Sequence, residues 1–427
     1  MSREHLRRDC APSLMIVSPE IGRCPRLCFY TKAKKTTFLA GIFMFATLSR
    51  TALPDVPWDK WAKRIFLHVP LHLSPEGVAT SGGRQRNVRD MAKLIYEKWG
   101  RECIILQKAS KNWERLDSCG IPVIGIKSIL SAYGDPGFGH ATSRFVGKDD
   151  AIIYVGHEDA WPFFVKNAKG FHVGVWWDGP FQSYKKWLAG IRTEALFDAC
   201  RSVLCVDTNI INWLRARSRT NQDSANRAIY IPNCVDLAML PDPIRREAPN
   251  KPFRLLFARR YEIKRGPQLA LDAVALLNKR GFPVELIMST AEGQTGSEAI
   301  VKGAHERGIV SLVRVCENDM DSIFSLYAAA DAAIVPTLWS EGTSYSCIEA
   351  IAAGLPVVTT TVGGLPNLVI PGFNGYVVPP HAEPIAKAIA ELAEPNKWRQ
   401  CRSNCLSMRA ALSKLEWNRR ILEWLKS

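Results

Sequence analysis

Strand-length apolar runs alternate with amphipathic helical stretches twice along this 427-residue chain, and that doubled pattern leaves few folds open. The first unit begins with a strand at 64–70 (RIFLHVP), a glycine turn at 80–83 and a helix near 87–99 with Val88, Met91, Leu94 and Ile95 on one face. Strands are then predicted at 102–106, 121–126, 151–155, 171–177, 202–206 and 228–231, with helices near 190–200 and 208–217. The segment 241–252 (PDPIRREAPNKP), rich in proline and charge, reads as a linker. The alternation restarts with strands at 254–258, 284–289, 313–316, 332–336, 356–360 and 376–379, interleaved with helices near 267–280, 297–307, 321–330 and 344–353. Helices run from there to the C-terminus. Apolar runs without polar alternation suit parallel strands covered on both faces. The expected fold is therefore α/β, with two Rossmann-like, doubly wound domains of about 180 residues each facing across a cleft. Ligands of such sheets bind beyond the carboxyl ends of the strands.

Composition narrows the partners. Apolar residues make up 47% and charged residues 23%, which excludes a disordered, collagen-like or disulfide-miniprotein chain. The net charge of +15 is uneven: residues 1–250 hold 36 Lys and Arg against 24 Asp and Glu, and residues 251–427 hold 20 against 17. A basic half suits an anionic lipid, nucleic acid or anionic substrate, and charge alone does not choose among them. The 12 cysteines include no CxxC pair and no Cys/His set at zinc spacing. Cys103, Cys205 and Cys347 sit inside apolar runs as small core residues, which suits a reducing cytoplasm. Residues 36–48 (TTFLAGIFMFATL) follow Lys32, Lys34 and Lys35 and are too short for a bilayer span of about 20 residues. A signal-type core, an interfacial anchor and a plain extension all remain open for them, and residues 1–63 are assigned to an N-terminal extension outside the fold.

The sharpest chemical signal is 336–364 (PTLWSEGTSYSCIEAIAAGLPVVTTTVGG). A strand ends at Pro336, a polar loop with Glu341, Gly342, Thr343 and Ser344 follows, and a helix carrying Glu349 begins. Amides at a helix start favour an anion such as a phosphate. A carboxylate deeper in the pocket accepts hydrogen bonds from a vicinal diol such as a ribose.

Here the chain resembles the family-4 retaining glycosyltransferases of the GT-B fold, whose signature is Glu, seven residues, Glu, then Ala-x-Ala-x-Gly-x-Pro-Val. This sequence has Glu341, Glu349 and the run Ala350 to Val358, with Gly363, Gly364 and the later Gly372-Phe373-Asn374-Gly375 also matching. The resemblance covers about 64–427 and is strongest at 254–380. It implies that Glu341 contacts the transferred sugar and that Glu349 holds the nucleotide ribose. It implies an Arg at the end of the second domain's first strand and a basic residue five positions on. Arg260 and Arg265 fit that register, Arg259 and Lys264 fit one residue earlier, and both pairs stay open. Cations there would stabilise the charge that grows on a departing nucleoside diphosphate. Gly342, Thr343 and Ser344 join Arg259, Lys264 and Glu349 on the donor side.

In the first domain, Gly82, Gly83 and Arg86 resemble the family's glycine loop, and with His157 they form the expected acceptor side. Asp178, beside Trp176 and Trp177, is the first domain's catalytic candidate, and His172 is weighed beside it. Three departures stand out: Cys234 replaces a glycine in the 231–236 turn, Asn367 stands where many relatives have Glu, and the usual strand-end His is not placed near Trp176.

Other signals carry less. Asp319-Met320-Asp321 is formally a metal-type DxD, yet its place before a helix reads as capping. No GxGxxG follows the first strand of either unit and no GxxxxGK[ST] exists, which disfavours a nicotinamide dehydrogenase and a P-loop NTPase. Trp58, Trp61, Trp99 and Trp113 lie among basic residues, but no RNA-binding motif accompanies them.

The reading is a retaining glycosyltransferase moving a sugar from a nucleotide-sugar donor to a hydroxyl of a glycan or lipid-linked acceptor, as in envelope or exopolysaccharide synthesis. No metal or cofactor is expected and no nucleic-acid partner. An anionic membrane surface is a further partner to test, at the inner face of the membrane in an otherwise cytoplasmic protein. The expected divisions are an extension (1–63), an acceptor domain (64–240), a linker (241–252), a donor domain (253–410) and a helix (411–427) packing back on the first domain. The alternatives are a GT-B nucleotide-sugar epimerase or hydrolase, and an inactive glycan- or membrane-binding scaffold.

Overall fold

The computed structural model describes residues 52–78, 82–128, 135–174, 184–217, 225–243, 246–291, 296–318, 323–339 and 341–427. The apolar segment 36–48, the DxD at 319–321 and Asp178 with its neighbouring tryptophans lie outside them.

The first sheet holds β1 (Arg64–Val69), β2 (Glu102–Ala109), β3 (Trp113–Leu116), β4 (Pro122–Lys127), β5 (Asp150–Tyr154), β6 (Ala168–His172), β7 (Cys200–Cys205) and β8 (Ala228–Tyr230). Its order is β3-β4-β2-β1-β5-β6-β7-β8, and every pairing is parallel except β3 with β4. The second sheet holds β9 (Phe253–Ala258), β10 (Val284–Ala291), β11 (Val313–Asn318), β12 (Ala332–Val335), β13 (Val357–Thr360) and β14 (Gly375–Val378). Its order is β11-β10-β9-β12-β13-β14, all parallel. Each sheet reverses its winding beside its first strand, so one crevice opens between β1 and β5 and another between β9 and β12.

Helices cover the faces: α1 (Trp58–Trp61), α2 (Gly83–Trp99), α3 (Pro136–Phe145), α4 (His157–Ala160), α5 (Tyr184–Ala199), α6 (Asn209–Arg217), α7 (Pro267–Lys279), α8 (Gly296–Glu306), α9 (Ile323–Ala329), α10 (Tyr345–Ala352), α11 (Ala382–Leu392), α12 (Pro395–Met408) and α13 (Lys414–Lys426). Helix α2 buries Val88, Met91, Leu94 and Ile95, the face that its 3.6-residue period marks, and Gly100 ends it in the left-handed conformation. Two elements escape a periodicity reading. Edge strand β3 leaves Glu114, Arg115 and Leu116 exposed, so it shows no buried stripe. Helix α3 contains two glycines, and its start is fixed by Asp135, whose carboxylate accepts the Gly137 N–H at 2.9 Å.

The first core corrects the boundary of the N-terminal extension. Leu53, Trp58 and Ala62 are buried in that core, and the Leu53 N–H donates to the Lys166 carbonyl at 2.9 Å. The same core takes Trp417, Ile421, Trp424 and Leu425 from α13. Lys169 on β6 joins the two ends: its ammonium donates to the Trp424 carbonyl at 2.7 Å and to Ser202 at 3.2 Å, and lies 5.5 and 5.4 Å from the Trp58 and Trp424 rings. Burial pushes its pKa down to about 7 from 10.5. The unfolded chain therefore holds more protons than the folded one between pH 7 and 10.5, so this lysine's contribution to stability rises with pH across that window. In urea titrations, the wild type is expected to gain stability relative to Lys169→Met from pH 7 to pH 10. A pH-independent difference would contradict the lowered value.

The linker is strapped rather than loose. Asp331, buried at the start of β12, accepts from Arg246, from the Asn250 N–H and side-chain amide (both 3.0 Å) and from the Arg254 N–H (2.7 Å).

Candidate functional site

The second crevice lies where β9 and β12 end. Past Ala258 the chain bends, leaving Arg259 inward and Arg260 outward. A single 3-10 turn, Ile263–Arg265, then brings Arg265 back toward the cleft. Gly266 closes that turn at φ 74°, and a Cβ there would stand 1.9 Å from the Pro336 carbonyl oxygen, so only glycine allows the approach.

Arg259 and Arg265 both donate to the same oxygen of Glu341. Arg259 also donates to the Thr337 hydroxyl at 2.6 Å, and that hydroxyl lies 3.3 Å from Glu341. Burial alone would raise the Glu341 pKa, but the two guanidiniums outweigh it and hold the carboxyl below its usual range. Burial pushes the Arg259 pKa down, and the neighbouring Arg265 cation adds to the shift, against the pull of Glu341. Outside this knot, Glu262 pairs with Lys264 at 3.0 Å and with Arg260 at 3.5 Å. Four cations therefore face two carboxylates, a local surplus of two positive charges. Gly363, at φ 59°, lets the following loop rest on this one: a Cβ would meet the Glu341 carbonyl oxygen at 1.9 Å.

Glu349 lies on α10 and is buried. Its Oε2 accepts the Tyr327 hydroxyl at 3.0 Å and its Oε1 accepts Arg86 Nη1 at 3.0 Å. Arg86 belongs to α2 of the first domain, so this contact crosses the cleft. Around it runs a polar seam. The Tyr345 hydroxyl donates to Asn87 at 2.7 Å, Asn87 donates to Asn233 at 2.9 Å, and the Asn233 amide donates to the Thr343 carbonyl at 2.5 Å. The Thr343 hydroxyl donates to the Val206 carbonyl at 2.9 Å and accepts the Asn233 N–H at 3.0 Å. On the other flank, Asn367 accepts the Thr208 N–H at 3.1 Å and donates to its hydroxyl at 2.8 Å. The carboxyl ends of the two sheets thus meet face to face. Asp207, at the end of β7, is buried against Gly364, and burial pushes its pKa up to about 6.

The structure corrects several expectations. Neither of the proposed pairs is the inward one: it is Arg259 with Arg265, because the 3-10 turn shifts the second cation by one residue. Arg260 turns outward, 44% exposed and paired with Glu262. Lys264 also pairs with Glu262. Thr343 spends its hydroxyl on the interdomain seam, and the Ser344 hydroxyl lies 3.0 Å from that of Ser346. Gly342 packs against the first domain, where a Cβ would stand 3.2 Å from the Val173 carbonyl oxygen. Arg86, expected on the acceptor side, is bonded to the donor-side Glu349. Gly83 lies under the Tyr345 ring, 3.0 Å from a Cβ position, and Gly82 precedes α2 in extended backbone. His157 opens α4 after β5. The sequence reading gave no role to Tyr327, Asn87, Asn233, Tyr345 and Asp207; Asn233 and Tyr345 lie inside segments it singled out, but their contacts arise only through the fold. Among the described residues, no cluster of three or more His, Cys, Asp or Glu could hold a metal ion, and no helix is long and apolar enough to cross a membrane.

Two parallel-sheet domains meeting across such a cleft define the GT-B class. Residues 242–404 match the family model of glycosyl transferases group 1. A D-inositol 3-phosphate glycosyltransferase of Corynebacterium diphtheriae is 33% identical over 153 residues, 34% of this chain and 35% of that protein. The chain thus spans about a third of the length of the curated relatives it matches. Among solved structures, sucrose-phosphate synthase from Thermosynechococcus elongatus superposes with a TM-score of 0.67 at 18% identity, over 84% of this chain and 98% of that one. HepE from Anabaena, solved in complex with UDP, superposes at 0.64 with 15% identity, over 85% and 99%. These likenesses establish the fold.

Proposed function

We propose that the protein is a retaining glycosyltransferase that uses a nucleotide-sugar donor and a glycan or lipid-linked hydroxyl acceptor. The observation that carries the reading is the pair of guanidiniums, Arg259 buried and Arg265 partly buried, on one Glu341 oxygen, inside a basic cluster with two surplus positive charges. A nucleoside diphosphate leaving group gains negative charge as its bond to the sugar breaks, and fixed cations in a water-poor cleft stabilise that charge without rearranging. Arg259 and Arg265 supply it, Glu341 orients the sugar between them, and Glu349 accepts the ribose hydroxyls. Same-face attack by the acceptor, with its proton passing to the departing phosphate, keeps the anomeric configuration. The second domain binds the donor and the first the acceptor. HepE's complex with UDP and the group 1 family match support this reading.

The basic cluster makes a divalent metal unnecessary, so transfer is expected to proceed unchanged in EDTA. The test is thermal unfolding of the whole protein with uridine, guanosine and adenosine diphosphates, each with and without EDTA. A ligand that binds the folded state raises the midpoint, by about 2.7 kcal/mol of stability at a hundred times Kd. The expected result is a rise with at least one nucleotide that survives EDTA. A rise only with added Mn²⁺, or with none of them, contradicts the proposal. Binding to vesicles with anionic lipid at low salt tests the membrane-surface partner.

A further inference from the structure

The place where the proposed reading puts a ribose is already taken by the chain's own arginine. Glu349 is 7% exposed, and each of its oxygens has a partner: Tyr327 within the second domain, Arg86 from the first. The Arg86 guanidinium lies 4.4 Å over the Tyr345 ring and bonds the carboxylate at 3.0 Å. The next residue, Asn87, is bonded to Tyr345 and Asn233. The first turn of α2 therefore reaches across the cleft and closes over the carboxylate. A diol that donates to Glu349 has to compete with Arg86 for Oε1.

We propose that Arg86 is a self-latch of the cleft, holding Glu349 while no nucleotide is bound and yielding it to the nucleotide's ribose. This inference rests on the assignment of Glu349 to the ribose. Tyr327 would keep its hydrogen bond throughout and hold the carboxylate in place during the exchange. The latch makes the empty cleft close on itself through a charge-assisted bond and a cation–π contact. It also makes apparent nucleotide affinity depend on the unlatched fraction, since a ligand that needs a minor form binds in proportion to that form's population. A ligand with a diphosphate but no ribose does not compete with Arg86. The latch thus lowers affinity only for ligands that need Glu349.

The experiment measures calorimetric affinity of wild type and Arg86→Gln for uridine diphosphate and for inorganic pyrophosphate, with X-ray scattering of both unliganded proteins. Arg86→Gln is expected to tighten uridine diphosphate about tenfold if the latched form outweighs the open one ten to one. Pyrophosphate affinity should stay within about twofold, since it makes no demand on Glu349. The unliganded variant should show a larger radius of gyration than the wild type. Unchanged or weaker uridine diphosphate binding overturns the latch, as does an equal gain for pyrophosphate. If the wild type binds no nucleoside diphosphate, the donor reading fails, and scattering alone decides the latch: identical curves for both proteins overturn it. Tyr345→Phe, which removes only the bond to Asn87, is the second variant, and it should shift both readouts in the same direction by less. A shift in the opposite direction overturns the latch.

Discussion

Replacing Arg259 by methionine is expected to lower sugar transfer by about 100-fold or more, while the same change at the adjacent Arg260 leaves it within about threefold. The contrast follows from which way each side chain points. Arg259 is buried and bonded to Thr337 and Glu341, at the mouth of the crevice where a leaving diphosphate would lie. Arg260 is 44% exposed and pairs with Glu262 at 3.5 Å, a surface contact whose worth is about 0–1 kcal/mol. Removing one donor aimed at developing charge in a water-excluded site costs about 2.7–4 kcal/mol in comparable chemistry, which is the basis of the expected factor. Arg265 still neutralises Glu341 in the Arg259 variant, so an unpaired buried carboxylate is not left behind. The check is kcat/KM for donor in both variants, with the unfolding midpoint as a control for the fold. Equal losses at the two positions would refute the inward assignment of Arg259.

The second large effect concerns stability. Trp424→Ala is expected to cost about 3–5 kcal/mol, the usual range for a buried tryptophan cut to alanine. Trp424 is 2% exposed and sits in the first core although it lies three residues from the chain end. Its ring faces the Lys169 ammonium at 5.4 Å, and its carbonyl accepts that ammonium at 2.7 Å. The truncation therefore opens a cavity and leaves a buried cation with one aromatic face fewer. Urea unfolding is the measurement. A loss below about 1 kcal/mol would mean that α13 is not integral to the first core.

Much of the frame was legible because burial writes itself into sequence. A strand such as Ala332–Val335 (AAIV) has no polar residue to face water, so it belongs to a sheet covered on both sides. The carboxylates of the cleft were legible because a strand end, a polar loop and a helix start fall in one short segment around Glu341 and Glu349. Legibility failed where the outcome depends on a turn. Whether Arg259 or Arg260 faces inward follows from how the backbone leaves β9, and the partner at 265 follows from a 3-10 turn that the motif spacing does not encode. It failed again at Leu53 and Trp58, whose burial depends on Lys166 and α13, far away in the chain.

The sequence by itself determined two α/β units, a linker, cations after the second unit's first strand and two carboxylates after its fourth. Those features are local: periodicity, composition and spacing within a few turns decide them. The tertiary structure alone decided that Glu341 is shared by Arg259 and Arg265, that Thr343 and Asn233 stitch the domains, and that Arg86 reaches Glu349. Arg86 and Glu349 are 263 positions apart, and no local preference couples them. Their meeting depends on two separately folded sheets presenting their carboxyl ends to one another, where low exposure makes a charge pair strong enough to matter.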